Sequence, residues 1–383
     1  MVVYTLLSLP VVALLPPRWR KYWFATSGGL ILAAIFTLPV AFWILVTLVI
    51  IHQLPRLLYY SGAVTPWKPG FRAITAWGFL CIFLGLYYLL DSPEVDFMYI
   101  AHWSGIVYGL PRAVDYVAAR MEGRLTDTGF WGLLSYMLYI PALFQGPIAR
   151  SDDFLEGETF RVTLRAIPNS LWLMFFGWVK YSAAIMIFQV HPAGFLHPGV
   201  TPAGTWFDVT FNLFITPLSG YLFFAAYTDA ARAMSALLGK ELPENFRNPF
   251  FTVSFRRFWR DYHISLTSWL RDFIYIPQGG NRRRAAINGL AVFIFIGLWH
   301  KPVMAFVIWG STQWLAVYIE QQLVNLRKRN RRFDELLSLR SFGVATFPLR
   351  LAIFWTVHAF SWSFFYGGYD GAISTLAKIL QFS

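Results

Sequence analysis

The stretch "FRRFWRDYHISLTSWLRDFIYIPQGGN", residues 255–281, decides the fold because it concentrates charge within a very apolar chain. Its apolar and aromatic residues recur in steps of three and four, which is helical spacing: Phe255, Phe258, Trp259, Tyr262, Leu266, Trp269 and Leu270. Arg256, Arg260 and Asp261 fall on another face. The spacing predicts an amphipathic helix at a membrane interface. Pro277 and the glycines after it predict a turn that ends the helix.

The rest of the chain has the composition of an integral membrane protein. Its 383 residues are 57% hydrophobic and only 14% charged, and the mean hydropathy is +0.49. A soluble protein of this length carries more charge. Runs such as residues 30–51 and 74–90 are long enough to cross a hydrocarbon core roughly 30 Å thick. The predicted fold class is all-α: a polytopic transmembrane helical bundle with interfacial amphipathic helices.

Hydropathy predicts a single integral membrane domain over residues 1–383 with about ten spans. They lie at about 1–16, 22–52, 73–90, 97–110, 129–148, 171–190, 206–226, 286–300, 302–320 and 344–366. The segment at 22–52 is too long for one straight crossing. It is either two short helices around Pro39 or one tilted helix.

Positive charge gathers in short connecting segments, and the net charge is +12. The basic residues of three such segments are Arg18, Arg20 and Lys21; Arg282, Arg283 and Arg284; and Arg327, Lys328, Arg329, Arg331 and Arg332. Basic connecting loops mark the cytoplasmic side of a multi-pass protein, so the predicted partner is the lipid bilayer and not nucleic acid. The single cysteine, Cys81, excludes a disulfide framework.

Five of the seven histidines have ordinary interpretations. His191 and His197 lie in the loop "HPAGFLHPG", where a metal site is an alternative, but no thiol or nearby carboxylate joins them. No metal and no bound cofactor is therefore predicted. His52 and His102 lie near span ends, and His358 lies inside the last span as a packing histidine.

His300 is different because it ends the wholly apolar run "AVFIFIGLWH". Ionisable groups at membrane depth are costly and usually face the bundle interior or a wet cavity. An imidazole exchanges protons near neutral pH, so His300 is a candidate general base. The alternative is a buried histidine bonded to a carbonyl. His263, beside Arg260 and Asp261, is the second candidate, although interfacial histidines among charges are common.

The chain contains no GxSxG elbow, GxGxxG turn, Walker loop or HExxH pair. A serine hydrolase and a nucleotide-dependent enzyme are therefore disfavoured.

Residues 241–283, "ELPENFRNPFFTVSFRRFWRDYHISLTSWLRDFIYIPQGGNRR", followed by "GLWH" at 297–300, resemble the membrane-bound O-acyltransferases. The branch is the bacterial one that includes alginate O-acetylase and the D-alanyl transferase of teichoic acids. "FQGPIARSDDF" at 144–154, "GYLFFAAYTDAARAMSALLGKELPENF" at 220–246 and "HAFSWSFFYGG" at 358–368 are similar to other segments of that branch. The resemblance covers about residues 100–366.

The resemblance implies an O-acyltransferase with a tunnel through a ring of transmembrane helices. His300 corresponds to the central histidine of the family and His263 to its second histidine. The predicted reaction moves a small acyl group, with acetyl as first choice, from a cytoplasmic thioester donor to a hydroxyl. The donor is acetyl-CoA or an acyl carrier protein. The acceptor is an extracytoplasmic polysaccharide, as in exopolysaccharide O-acetylation, or a periplasmic acyltransferase partner, and the predicted location is the bacterial inner membrane.

The arginines of the opening stretch are candidates for binding the anionic donor. They are Arg256, Arg257, Arg260 and Arg271, together with the nearby Asp261. The alternative is that they bind lipid headgroups and pair with the neighbouring aspartates. Trp259 and Trp269 are expected to anchor the helix. Other functions remain open: D-alanyl transfer to teichoic acid, a transporter or flippase of a lipid-linked sugar, and a scaffold that recruits another acyltransferase.

Overall fold

The computed structural model describes residues 1–35, 38–60, 70–91, 106–126, 129–156, 160–190, 206–330 and 340–380. These residues form helices, and the extended pairing among them is an isolated bridge between Phe246 and Tyr262. The prediction of an all-α chain is confirmed. The helices are α1 Val2–Leu14, α2 Pro17–Ile35, α3 Leu38–Tyr60, α4 Phe71–Leu90, α5 Ile106–Met121, α6 Gly129–Met137, α7 Ile140–Leu143, α8 Ser151–Glu156, α9 Ala166–Val190, α10 Trp206–Leu237, α11 Phe255–Asp261, α12 Ile264–Leu270, a π-helix Arg271–Tyr275, α13 Ala285–His300, α14 Met304–Arg329 and α15 Arg340–Leu380.

Contacts divide the chain into two compact units. The first unit is Met1–Val179, Phe224–Asn245 and Ser268–Gln278, and the second unit is Lys180–Phe223, Phe246–Thr267 and Gly279–Ser383. Each unit is assembled from segments that are distant in the sequence, so neither is a simple N- or C-terminal half. The single integral domain over residues 1–383 stays a prediction.

The long apolar segment at 22–52 is two helices, as one of the two alternatives predicted. α2 ends at Ile35 and α3 begins at Leu38. Pro39 occupies the first turn of α3, where a missing backbone N–H removes no intrahelical hydrogen bond.

Several helices have the length and composition of membrane spans. Within the described ranges, three helical segments are long and apolar enough to cross a bilayer: Ala41–Leu58, Phe71–Leu90 and Ala166–Ile187. α1 and α13 are shorter apolar helices. α9 exposes Leu171, Trp172 and Trp178, and a helix that is apolar all round suits a lipid environment. The total of about ten spans and the central tunnel remain predictions.

A buried arginine holds the centre of the first unit. Arg112 of α5 is 1% exposed and donates to the carbonyls of Tyr108 at 3.2 Å, Tyr136 at 3.2 Å and Leu143 at 3.3 Å. Hydrogen bonds to a charged donor are stronger than neutral ones. Arg112 therefore fastens the ends of α6 and α7 to α5.

Candidate active site

His300 lies at the end of a tightly packed helix pair in the second unit. A Cβ added at Gly297 of α13 would collide with the carbonyl of Phe306, and one at Gly310 of α14 would collide with the carbonyl of Phe293. The two backbones approach closely only because both positions are glycine. The close contact of α13 with α14 therefore fixes the position of the last residue of α13, which is His300.

The chain leaves the helix immediately after His300. Lys301 is extended, with φ −161° and ψ 130°, and its N–H donates to the carbonyl of Gly297. The N–H of Val303 in turn donates to the carbonyl of Lys301 at 2.9 Å. These bonds make a short turn, so the imidazole is carried on the last residue of a helix and not on a loose loop.

Aromatic rings surround the half-buried imidazole of His300. The centroid distances are 4.7 Å to Trp299, 5.0 Å to Phe365, 5.6 Å to Trp309 and 6.2 Å to Phe306. The rings come from α13, α14 and α15. A side chain packed this way loses rotamer freedom, so the position of the imidazole is set by its neighbours.

His263 lies at a break in the predicted amphipathic helix. α11 ends at Asp261 and α12 begins at Ile264, and His263 has a φ of 49°. The prediction of one continuous helix was wrong, because a non-glycine residue in the left-handed region cannot continue a right-handed helix. The N–H of Thr267 donates to the carbonyl of His263 at 2.9 Å, which starts α12.

The His263 side chain is 2% exposed. Its burial lowers the pKa of the imidazole to about 3, so His263 is neutral at physiological pH. The ring is 6.4 Å from the ring of Trp299, which also contacts His300. The structure therefore brings both predicted histidines against the same indole.

The buried face of this segment agrees with the prediction. Six of its seven apolar positions are below 9% exposure and the seventh is at 9%: Phe255, Phe258, Trp259, Tyr262, Leu266, Trp269 and Leu270. Trp259 and Trp269 are therefore core residues. Each indole is enclosed by other side chains, and their role as anchors of the helix stays a prediction.

The α11 arginines are exposed as predicted, but Asp261 is not. Arg256 and Arg260 lie on the exposed side of α11, whereas Asp261 is 8% exposed. Its carboxylate still meets Arg257 at 3.5 Å and Arg260 at 3.4 Å. α11 ends at Asp261, Tyr262 is extended, and the carbonyl of Asp261 accepts from the N–H of Arg247 at 2.9 Å.

Arg271 lies on the π-helix and belongs to the first unit. Its guanidinium is exposed and donates to Asp272 at 2.8 Å. Asp272 also accepts from Arg150 at 2.6 Å. Arg150 in turn reaches the buried Asp115 at 3.3 Å, and the N–H of Ser151 donates to the same carboxylate at 2.5 Å. This ion-paired group was missed by the sequence reasoning, because pairing between distant segments leaves no local signal.

A second ion-paired group lies in the first unit. Both carboxylate oxygens of Glu122 accept from Arg72, at 2.5 Å and 2.6 Å. Arg124 donates to Glu122 at 2.6 Å and also pairs with Asp152. Burial alone raises the pKa of Glu122, but the hydrogen bonds from Arg72 and Arg124 outweigh it and hold that pKa below its usual value. The group ties α4, α5 and α8 together.

The remaining histidines differ from the two candidates. His52 is buried and its Nδ1 lies 3.0 Å from the hydroxyl of Tyr116, so it packs inside the first unit. His102, His191 and His197 lie outside the described residues. Within those residues, no group of three potential metal ligands occurs.

Comparisons with known proteins give one family. A model of the membrane-bound O-acyltransferase family matches residues 58–338. That range includes α11, α12, α13 and α14, and therefore both candidate histidines.

Curated relatives are similar over about half of the chain. A probable alginate O-acetylase of Pseudomonas fluorescens is 26% identical over 240 residues, which are 60% of this chain and 47% of that protein. A peptidoglycan O-acetyltransferase of Helicobacter pylori is 29% identical over 51% of this chain and 39% of that protein. A teichoic acid D-alanyltransferase of Bacillus subtilis is 27% identical over 54% of this chain and 55% of that protein. The chain thus spans about half the length of the curated relatives it matches.

Proposed function

The chain belongs to the membrane-bound O-acyltransferase family, and we propose that it transfers a small acyl group, acetyl as first choice, from a thioester to a hydroxyl. The observation that carries the proposal is the pair of histidines packed against Trp299 in the second unit. One is half-buried at a helix end and the other is fully buried, so they are suited to different roles.

His300 is proposed as the general base. It takes the proton of the acceptor hydroxyl while the hydroxyl oxygen attacks the thioester carbonyl carbon. The tetrahedral intermediate then collapses, the C–S bond breaks, and His300 returns the proton to the thiolate. The products are an ester and a free thiol. General-base assistance of this kind accelerates a reaction roughly 10²–10⁴-fold.

His263 is proposed to orient the donor or to stabilise charge that develops on the carbonyl oxygen. Because burial lowers its pKa to about 3, His263 stays neutral and acts through its ring N–H or through the lone pair of its other ring nitrogen. A fixed donor in a dry site stabilises an oxyanion far better than water does. This role differs from that of His300, which must gain and lose a proton in each cycle.

The exposed arginines of α11 are proposed to bind the anionic part of the donor. Arg256 and Arg260 point to the surface, and the Arg260 side chain is 71% exposed although it pairs with Asp261. A guanidinium has five N–H donors, so Arg260 can pair with Asp261 and still donate to phosphates of coenzyme A or to acidic residues of a carrier protein. Arg271, which is bonded to Asp272, is a further candidate.

A cytoplasmic donor and an extracytoplasmic acceptor are proposed for this reaction, in the bacterial inner membrane. The acceptor is a polysaccharide hydroxyl or a periplasmic acyltransferase partner. A reacting histidine reachable from both sides lets the thioester and the hydroxyl meet without moving the large donor across. The names of the acetyl-transferring relatives favour acetyl and a polysaccharide acceptor.

D-alanyl transfer from a carrier protein to teichoic acid is the alternative, and the Bacillus subtilis relative favours it. Both acyl groups are small, so the same two histidines serve either reaction. A transporter or flippase of a lipid-linked sugar remains a further alternative. It differs from both in requiring no acyl transfer and no reactive histidine.

The test uses the full chain in proteoliposomes with radiolabelled acetyl-CoA, acetyl-loaded carrier protein or D-alanyl-loaded carrier protein, and a soluble polysaccharide acceptor. We expect label to appear in ester linkage, and His300→Ala to abolish it at normal protein level. His52→Asn is the control, since it changes a buried histidine of the first unit. Full transfer by His300→Ala would remove that residue from the mechanism, and failure of every donor would favour the transporter.

A further inference from the structure

A hydrogen-bonded network of side chains lies in the aromatic interior of the second unit. The indole N–H of Trp259 donates to Oε1 of Gln313 at 3.0 Å. Nε2 of Gln313 lies 3.2 Å from Nδ1 of His358 and also donates to the hydroxyl of Ser361. The Ser361 hydroxyl donates to the carbonyl of His358 at 3.0 Å. Gln313, His358 and Ser361 are all at or below 3% exposure.

The chemistry of these side chains fixes the direction of each hydrogen bond in the network. An indole nitrogen can only donate, so the oxygen of the Gln313 amide must face Trp259. The amide nitrogen then faces His358 and donates to Nδ1. His358 therefore carries its ring proton on Nε2, because a proton on Nδ1 would point at the N–H of Gln313.

Aromatic rings enclose His358 on its other sides. Phe258 and Phe354 each lie 4.3 Å away, and Phe255 lies 5.3 Å away, between ring centroids. Within the described ranges its neighbours from α11, α14 and α15 are these rings, Gln313 and Ser361, and none of them is charged. His358 is thus a fixed neutral partner of Gln313 and not a group that exchanges protons with a substrate.

Two indoles lie between this network of side chains and His300. Trp259 packs against Trp309 at 5.9 Å, and Trp309 packs against His300 at 5.6 Å. The N–H of Trp309 is buried and has no hydrogen-bond partner in the described part of the structure. Its orientation therefore depends on the rings around it, and Trp259 is the one among them that a hydrogen bond to Gln313 holds in place.

We propose that Gln313 and His358 are positioning residues for His300, which act by holding Trp259 and, through it, Trp309 against the imidazole. Neither residue touches the reacting atoms. Their effect is to keep the His300 ring at the angle from which it removes the hydroxyl proton. Since this rests on the proposed acyl transfer, one readout must be independent of that activity.

The first variant is Gln313→Leu, which puts an apolar side chain, shorter by one atom, in place of the amide and removes all of the side-chain hydrogen bonds. In proteoliposomes with radiolabelled acetyl-CoA, or the carrier-bound donor that the wild type uses, we expect kcat to fall by about tenfold or more while KM for donor and acceptor is nearly unchanged. The matched control is Gln321→Leu on the same helix, since among the described residues the Gln321 side chain bonds to Asn325, at 2.9 Å, and not to the network around His358. The Gln321→Leu variant should retain the wild-type kcat.

The second comparison asks which atom of His358 matters. In His358→Asn the amide oxygen occupies roughly the place of Nδ1 and can still accept from Gln313, whereas His358→Phe keeps the ring and loses the acceptor. We expect the asparagine variant to retain most of kcat and the phenylalanine variant to lose it. Equal kcat in the two variants, or full kcat in both, would overturn the inference.

The activity-independent readout is the rate at which diethyl pyrocarbonate modifies His300, measured by mass spectrometry of the peptide that contains it. We expect Gln313→Leu to change this rate and Gln321→Leu to leave it at the wild-type value. An unchanged rate in Gln313→Leu rejects the inference even if no acyl transfer is found. Loss of acyl transfer with every donor, together with a changed rate, would instead reject the proposed function and leave the positioning role supported.

Discussion

The indole of Trp299 packs against the imidazole of His300 with 4.7 Å between ring centroids. Trp299 is 1% exposed, so it is held by the core of the second unit. A half-buried histidine is thereby backed by a residue that cannot move without disturbing the core. The same indole contacts His263, which makes it the shared support of both candidate histidines.

Removing this indole should cost both stability and activity. Trp299→Ala is expected to lower the free energy of unfolding by about 3–5 kcal/mol, because a large buried ring is lost and a cavity remains. The measurement is thermal unfolding in detergent, with acyl transfer assayed at low temperature on the folded fraction. Trp172→Ala is the control: Trp172 is 63% exposed on α9 and should change stability by no more than about 0.5 kcal/mol. Equal effects of the two variants would contradict the buried role of Trp299.

The close approach of α13 and α14 gives a second prediction. Gly310→Ala places a methyl group against the carbonyl of Phe293, and overpacking of this kind costs about 1–3 kcal/mol. Acyl transfer should fall as well, because the helix pair sets the place of His300. Gly85→Ala on α4 is the matched change, since no atom of the described residues lies within 4 Å of the added Cβ. A melting temperature that drops equally for both glycines would show that helix separation is not the cause.

The exposed cations of α11 predict a change in donor binding. Arg260→Glu replaces attraction to an anionic donor by repulsion, and we expect the apparent KM for the donor to rise roughly tenfold at low salt. The rise should shrink as ionic strength increases. Arg282→Glu makes the same change of charge at another exposed arginine and should leave the KM near the wild-type value. If both variants raise KM alike, the arginines act through the bilayer or through net charge and not by docking.

The ion-paired Glu122 predicts a pH dependence of stability. Its pKa is lower in the folded chain than the ordinary value of 4.5, so its contribution is present above that value and is lost as pH falls through the folded pKa. Glu122→Gln should therefore melt below the wild type at pH 7, and the gap should narrow under acid conditions. Glu241→Gln, at an exposed carboxylate, is the control and should track the wild type throughout. A gap that stays constant down to acid pH would contradict the role of Arg72 and Arg124.

Much of this architecture follows from local sequence signals. The run that ends at His300, the buried face of residues 255–270 and the turn at Gly279 and Gly280, which have φ of 113° and 53°, were all predicted. Each depends on periodicity or on a residue whose backbone preference is strong. The exposed positions of Arg256 and Arg260 followed from the same periodicity.

The features that escaped prediction depend on long-range packing. The helix break at His263 is invisible to periodicity, because Tyr262 and Leu266 still fall on the buried face when the helix is interrupted. Asp261 is buried although it falls on the face that carries the arginines, and its carbonyl bonds to Arg247 of another segment. The pairing of Arg150 with Asp272 joins residues 122 apart in the sequence. Gln313 carries no motif, and its hydrogen bonds to Trp259, His358 and Ser361 form only when the neighbouring helices are in place.

The position of His300 as the final residue of α13 has an electrostatic consequence. The last carbonyls of a helix carry about half a negative elementary charge between them, and a cation placed there gains about 0.3–1 kcal/mol. In the proposed mechanism the imidazole becomes that cation when it accepts the hydroxyl proton, at the end of a helix made almost entirely of apolar residues. The helix itself would then act as the counter-ion, with no carboxylate required beside the ring.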